Sequence, residues 1–167
     1  MISRRQSLVF GGSALTLPMW TSARAAFTNR SAAAAALDDS DLIYLTPLKS
    51  DGTESRCHAE IWYQFDGSDV WVVTDSQSWR ARAVARGLDK ARLWVGEFGV
   101  WTQSGARYRS APQFEARGSL ISDPATHERV LDLFGGKYVM EWIVWGPRWR
   151  NALADGSRVM LRYQLAR

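Results

Sequence analysis

Residues 70–84 read Val-Trp-Val-Val-Thr-Asp-Ser-Gln-Ser-Trp-Arg-Ala-Arg-Ala-Val, and the period of the chain changes inside that run. Val70 to Thr74 is an apolar, β-favouring segment. After the polar turn Asp75-Ser76-Gln77, the apolar residues Ala81, Val84, Ala85 and Leu88 recur at i, i+3, i+4 and i+7, the stripe of a helix. Ser78 is its natural N-cap and Gly87 its stop. Arg80, Arg82 and Arg86 lie off the stripe and are free to reach outward. A helix N-terminus favours anions and disfavours nearby cations. Arginines there fit either a solvated basic face or an anion that bridges dipole and guanidinium.

Working outward, the same strand-and-turn grammar extends in both directions. Leu42 to Thr46 reads as a strand, Ser50-Asp51-Gly52-Thr53 as a hairpin turn, and about Glu54 to Phe65 as a second strand. Asp66-Gly67-Ser68 turns the chain into the strand at 70–74, so residues 42–74 form an antiparallel three-stranded meander. Downstream, Arg92 to Phe98, Gln113 to Ile121 and Arg158 to Leu165 are further strands, with a Gly-, Ser- and Arg-rich loop at 99–112. Asp123-Pro124 opens a helix, which the Gly135-Gly136 pair should end near Phe134. Residues 137–151, with Trp142, Trp145 and Trp149 around Gly146-Pro147, read as aromatic and irregular. Six strands with two to three short helices predict an α+β domain on a small antiparallel barrel.

The N-terminus has a different logic. A basic start with Arg4 and Arg5, an apolar stretch from Leu8 to Trp20 and the small-x-small run Ala23-Arg24-Ala25 have the order of a cleaved export signal over residues 1–25. The adjacent arginines, and the Gly11, Gly12 and Thr16 that dilute the apolar part, point to the twin-arginine (Tat) route; an ordinary Sec signal is the alternative. A membrane anchor would need about 20 apolar residues. Residues 26–41 are then a tail with a short alanine-rich helix, and residues 42–167 the barrel domain. The expected location is periplasmic or secreted, with the Tat machinery as a partner. Tat carries folded proteins, often because a cofactor is loaded before export.

Cleavage also changes the charge. The chain has 21 Lys+Arg against 17 Asp+Glu, and three arginines leave with a leader that holds no acid, so the remainder is 18 against 17, net +1. That near-neutral domain gives no reason to expect nucleic acid as a partner. Cys57 is the only cysteine, so no internal disulfide is possible, and His58 and His127 are the only histidines, too few for a zinc site. Cys57 and His58 are adjacent, which on a strand sends them to opposite faces and argues against a catalytic pair. Nine tryptophans supply anchors for core and interface.

In order and spacing, the segments YLTPLKSDGT (44–53), HAEIWYQFDG (58–67), VWVVTDSQSWRARAV (70–84), DPATHERVLDLFGGKY (123–138) and RVMLRYQL (158–165) resemble the split β-barrel flavoproteins related to pyridoxamine-phosphate oxidase, F420-dependent and deazaflavin nitroreductase branches included. The resemblance implies a six-stranded antiparallel split barrel that binds a flavin, usually as a homodimer with the flavin at the subunit interface. It implies that Thr74, Ser78, Trp79, Arg80 and Arg82 hold the flavin phosphate and that Ala59, Glu60 and Ile61 lie along the ring. Glu60 stands where the family often has proline, and Arg80 where lysine is common. FMN is the expected cofactor and F420 the alternative, with Arg86, Lys90 and Arg92 as a track for the acidic F420 tail. No catalytic side chain is implied. The expectation is an exported flavin-dependent oxidoreductase acting on a small, conjugated or aromatic substrate. The alternatives are a non-catalytic flavin- or haem-binding module and a cofactor-free interaction domain.

Overall fold

The computed structural model describes residues 34–166. The leader at 1–25, its twin arginines and the first residues of the tail lie outside them. The alanine-rich helix, α1, spans 34–39 and is anchored by Leu37, which is buried in the barrel.

Seven strands form one antiparallel sheet: β1 (Leu42–Pro47), β2 (Ala59–Trp62), β3 (Gln64–Phe65), β4 (Asp69–Asp75), β5 (Lys90–Val95), β6 (Gln113–Ile121) and β7 (Arg158–Leu165). Their order is β2-β1-β5-β6-β7-β4-β3. The antiparallel pairings expected over 42–74 are present, but the middle strand begins at Ala59 rather than about Glu54 and is divided. Residues 59–62 pair with β1 and residues 64–65 pair with β4, so consecutive stretches of chain occupy opposite edges of the sheet. Tyr63, fully buried, carries the chain across that gap. This division is why the sheet has seven strands rather than six, and it is what nearly closes the barrel.

Side-chain alternation sorts the strands into an inside and an outside. Ile43, Leu45, Val70, Val72, Leu93, Leu161 and Tyr163 fill the barrel. Trp71, Val73 and Met160 point outward beneath the helices, and Tyr44 and Trp94 outward beneath the 96–112 loop, where Tyr108 stacks on Tyr44 at 4.7 Å. Residues 70–74 read as continuously apolar because both faces of β4 are covered.

Helix α2 (Trp79–Ala85) begins at the expected cap, Ser78, whose Oγ accepts from the Ala81 N–H at 3.3 Å. Helix α3 (Pro124–Lys137) begins as expected at Asp123 but runs through the glycine pair. The segment read as irregular is a fourth helix, α4 (Val139–Ala154), with Pro147 inside it. One packing fact explains both departures. A Cβ at Gly135 or at Gly146 would come within 2.8 Å of the Trp142 indole, which is wedged between Phe134 and Trp149. The glycines are the groove for that ring, not helix stops. Pro147 lacks the N–H that would bond the Ile143 carbonyl, and both residues lie on the helix face open to solvent.

Candidate functional site

The turn after β4 is held by its own hydrogen bonds. Asp75 accepts from the Gln77 N–H at 2.7 Å through its side chain and from the Ser78 N–H at 3.0 Å through its carbonyl. This geometry sets Thr74, Ser78 and Arg80 side by side. Arg80 Nη1 donates to Thr74 Oγ1 at 2.9 Å, and Thr74 Oγ1 lies 3.4 Å from Ser78 Oγ. Arg80 therefore turns inward, against the expectation that it reaches out from a basic face. The Thr74 hydroxyl draws it in, and its partial burial restricts the alternatives.

Arg80 Nε is buried and has no hydrogen-bond partner among the described residues, and the same holds for the Tyr163 hydroxyl. Burial pushes the Tyr163 phenol well above its ordinary pKa, and the nearby Arg80 charge partly offsets this. Buried donors without partners are uncommon in folded proteins and call for a physical reason.

Trp79 is 38% exposed and stands as a wall between two clefts. The larger, about 510 Å³, is lined by Lys49, Glu54, Ser55, Arg56 and Cys57. Glu54 does not set its charge, because Arg92 at 3.1 Å and Arg109 at 2.6 Å hold that carboxylate, which lies below the usual carboxylate range chiefly through the Arg109 hydrogen bond. Arg56 is exposed and makes no ion pair among the described residues. It was not foreseen, although a cation three residues before an edge strand is a readable signal once a cleft at that edge is expected. Arg82 lies in the smaller cleft with Arg86 and Leu88, across Trp79 from Arg56. The five expected phosphate contacts thus separate into a cluster (Thr74, Ser78, Arg80), a wall (Trp79) and an outlier (Arg82).

Strand β2 begins two residues after Cys57, at the end of the larger cleft. It pairs only with β1, so its other edge presents backbone groups outside any ladder. Ile61 packs into the barrel, while Glu60, on the opposite face, accepts the Trp101 N–H at 3.1 Å. Glu60 is therefore committed to the 96–112 loop, which gives a structural reason for a carboxylate here. The adjacent His58 leans on the Trp101 ring at 5.4 Å, its Nδ1 engaged by Thr46 Oγ1. Burial and the Arg109 charge hold the His58 pKa below its ordinary value. Cys57 lines the cleft while His58 faces Trp101, so they do not form a pair. Among the described residues no group of histidine, cysteine and carboxylate side chains has metal-binding geometry.

This arrangement is an antiparallel barrel with a polar cluster at a strand-to-helix turn and a cleft at its edge strand. It is the fold of the split-barrel proteins typified by pyridoxamine 5′-phosphate oxidase. A haem storage protein from Vibrio cholerae superposes with a TM-score of 0.57 at 12% identity, over 80% of this chain and 87% of that one. A conserved hypothetical protein from Mycobacterium tuberculosis gives 0.54 at 19% identity, over 94% and 87%. A protein from Listeria innocua named for pyridoxamine 5′-phosphate oxidase gives 0.51 at 14% identity, over 84% and 94%. No protein-family model and no curated protein matches the sequence.

Proposed function

We propose that this protein is an exported flavin-dependent oxidoreductase, taking FMN, with F420 as the alternative, and acting on a small conjugated or aromatic molecule. The observation that carries this reading is the Arg80 Nε–H, buried without a partner beside Thr74 and Ser78, next in the chain to Trp79, which lines a cleft whose free cation is Arg56. A phosphate group would supply the missing acceptor, and guanidinium groups suit it because they present paired donors. In this reading Arg80, Thr74 and Ser78 hold the phosphate from one side and Arg56 from the other, with Trp79 closing the wall. The free edge of β2, Ala59 to Ile61, offers backbone donors and acceptors along the length of the ring. A bound flavin supplies hydride exchange at its ring, while the protein orients it and excludes water. The twin-arginine leader supports export of the folded, loaded protein through the Tat route to the periplasm or beyond.

A second reading is haem binding without turnover. It is favoured by His58, whose depressed pKa keeps the imidazole neutral near neutral pH and whose Nδ1 is already engaged, leaving Nε2. The visible spectrum of the full chain, purified from a cytoplasm that makes both cofactors, separates the two. A flavin band released on denaturation supports the first reading and a Soret band the second. A colourless protein that binds neither added FMN nor added F420 would overturn the first. Replacing Arg4-Arg5 by Lys-Lys tests the route, since export that continues unchanged would refute Tat.

A further inference from the structure

A hollow of about 560 Å³ lies where the β3–β4 turn, the end of β6 and the start of α3 meet, and it shares no lining residue with the two clefts at Trp79. Trp71, buried, is at its base and carries two guanidinium groups over its ring, Arg129 at 5.4 Å from the ring centre and Arg162 at 5.7 Å. Two like charges gathered on one indole each call for a counter-charge. Arg162 has its own, since its Nε donates to Asp69 Oδ2 at 2.6 Å and its Nη2 lies 2.6 Å from the same oxygen. Arg129 is exposed and makes no ion pair or hydrogen bond among the described residues, so its charge faces the hollow uncompensated.

The carboxylates around the hollow are committed, except for one oxygen. Asp66 accepts four hydrogen bonds, from the Ser68 N–H and hydroxyl, the Asp69 N–H and the Trp71 indole N–H. Asp69 is held by Arg162. Asp123 works only through Oδ2, which accepts the Thr126 N–H at 2.8 Å and the Thr126 hydroxyl at 2.7 Å as the cap of α3, and its Oδ1 has no partner among the described residues. The Thr126 hydrogen bonds hold this carboxyl below the usual carboxylate range, so it is ionised at neutral pH. One free cation and one half-free carboxylate thus line the same hollow without meeting each other. They are six residues apart on α3, about 9 Å along its axis. A ligand group sits about 3 Å from each, so the ligand's own two charges stand about 3 Å apart. A simple anion would meet Asp123 and a simple cation would meet Arg129, whereas a compact zwitterion satisfies both. Leu120, 42% exposed, and Ile121 give the hollow an apolar side.

We propose that this hollow is a binding site for a free α-amino acid with an aliphatic side chain. Its carboxylate lies on Arg129, its ammonium on Asp123 Oδ1 and its side chain against Leu120 and Ile121. The proposal is independent of the flavin reading, since no residue of the Trp79 clefts takes part.

The test is titration of the full chain with L-leucine, followed by protein NMR, beside isovalerate, which lacks the ammonium, and isopentylamine, which lacks the carboxylate. The expected Kd for leucine is on the order of 1 mM, and each analogue should bind at least about threefold more weakly. Arg129→Gln and Asp123→Asn should each weaken leucine binding by about threefold or more. Asparagine caps a helix as well as aspartate does, so Asp123→Asn keeps α3, and circular dichroism verifies that both variants are folded. No leucine-dependent shift at about 20 mM would overturn the proposal, as would binding that both variants leave unchanged. Isovalerate binding as tightly as leucine would refute the amino-acid assignment and make the hollow a plain anion site.

Discussion

The Tyr138 hydroxyl joins the barrel at the residue where its strand divides, accepting the Tyr63 N–H at 3.0 Å and lying 2.8 Å from the Tyr63 carbonyl. Tyr63 is buried and belongs to neither β2 nor β3, so its backbone groups have no ladder to join. A side chain from the α3–α4 junction stands in for the missing strand. The same hydroxyl reaches the Asp41 carbonyl at 2.8 Å, tying the N-terminal segment to the closure.

Tyr138→Phe keeps the stacking on Trp62 at 4.7 Å and removes only the bridge. A buried N–H left unpaired costs about 1–3 kcal/mol. The urea midpoint should fall accordingly with an unchanged slope. An unaltered midpoint would mean that the Tyr63 amide finds another partner.

The three glycines of the α3–α4 region should respond in opposite directions to alanine. At Gly136 a Cβ meets nothing within 4 Å, so Gly136→Ala should stabilise the helix by about 0.5–1 kcal/mol. At Gly135 and Gly146 the Cβ would push into the Trp142 ring, which Phe134 and Trp149 prevent from moving aside, and overpacking of this kind costs about 1–3 kcal/mol. Thermal denaturation of the three single variants measures this directly. Equal responses would show that Trp142 is free to repack.

These glycines also show where reading the chain as a sequence stops. Strand positions were legible because turns such as Asp66-Gly67-Ser68 and alternating or continuous apolar runs are local signals; β6 and β7 have the expected bounds. The caps at Ser78 and Asp123 were legible for the same reason. The glycines around Trp142 look like helix breakers locally, and only the tertiary position of one indole makes them helix formers. The division at Tyr63 was hidden likewise, since nothing within 54–65 records that its halves pair with opposite edges. In the candidate site, the resemblance grouped Thr74, Ser78 and Arg80, while the helical period alone sent Arg80 outward, because it does not register the Thr74 hydroxyl that draws it in. The place of Arg56 in the cleft beside Trp79 was not legible, because it depends on how the 49–57 segment folds, and Arg82 lies with Arg86 and Leu88 on the other side of Trp79.

The two arginines therefore give a discriminating pair. Arg56→Ala should weaken FMN binding by about tenfold or more, the usual cost of a charge-assisted hydrogen bond, while Arg82→Ala should change it less than about twofold. Fluorescence titration of FMN against both variants measures the difference. Equal losses would overturn the assignment to the Arg56 side, and a larger loss from Arg82→Ala would place the phosphate on the other side of Trp79.

Lys137 gives the fold a pH dependence whose direction can be derived. Its Nζ donates to the Ser40 carbonyl at 2.6 Å and lies 3.7 Å from the centre of the Tyr63 ring. Burial lowers its pKa from 10.5 to about 8, against the opposing pull of Asp41, Asp38 and Glu97. Between those two values the unfolded chain holds the proton and the folded chain does not, so stability rises with pH across the interval. Tyr63 and Tyr138 act oppositely: burial raises both phenols above 10.0, so the unfolded chain loses their protons first and stability falls above that pH. The Lys137 contribution is thus cleanest between pH 8 and pH 10. There the urea midpoint of the parent chain should climb relative to Lys137→Met, which lacks the titrating group. Parallel curves for the two proteins would show that the ammonium is as well solvated at the Ser40 carbonyl as it is in water.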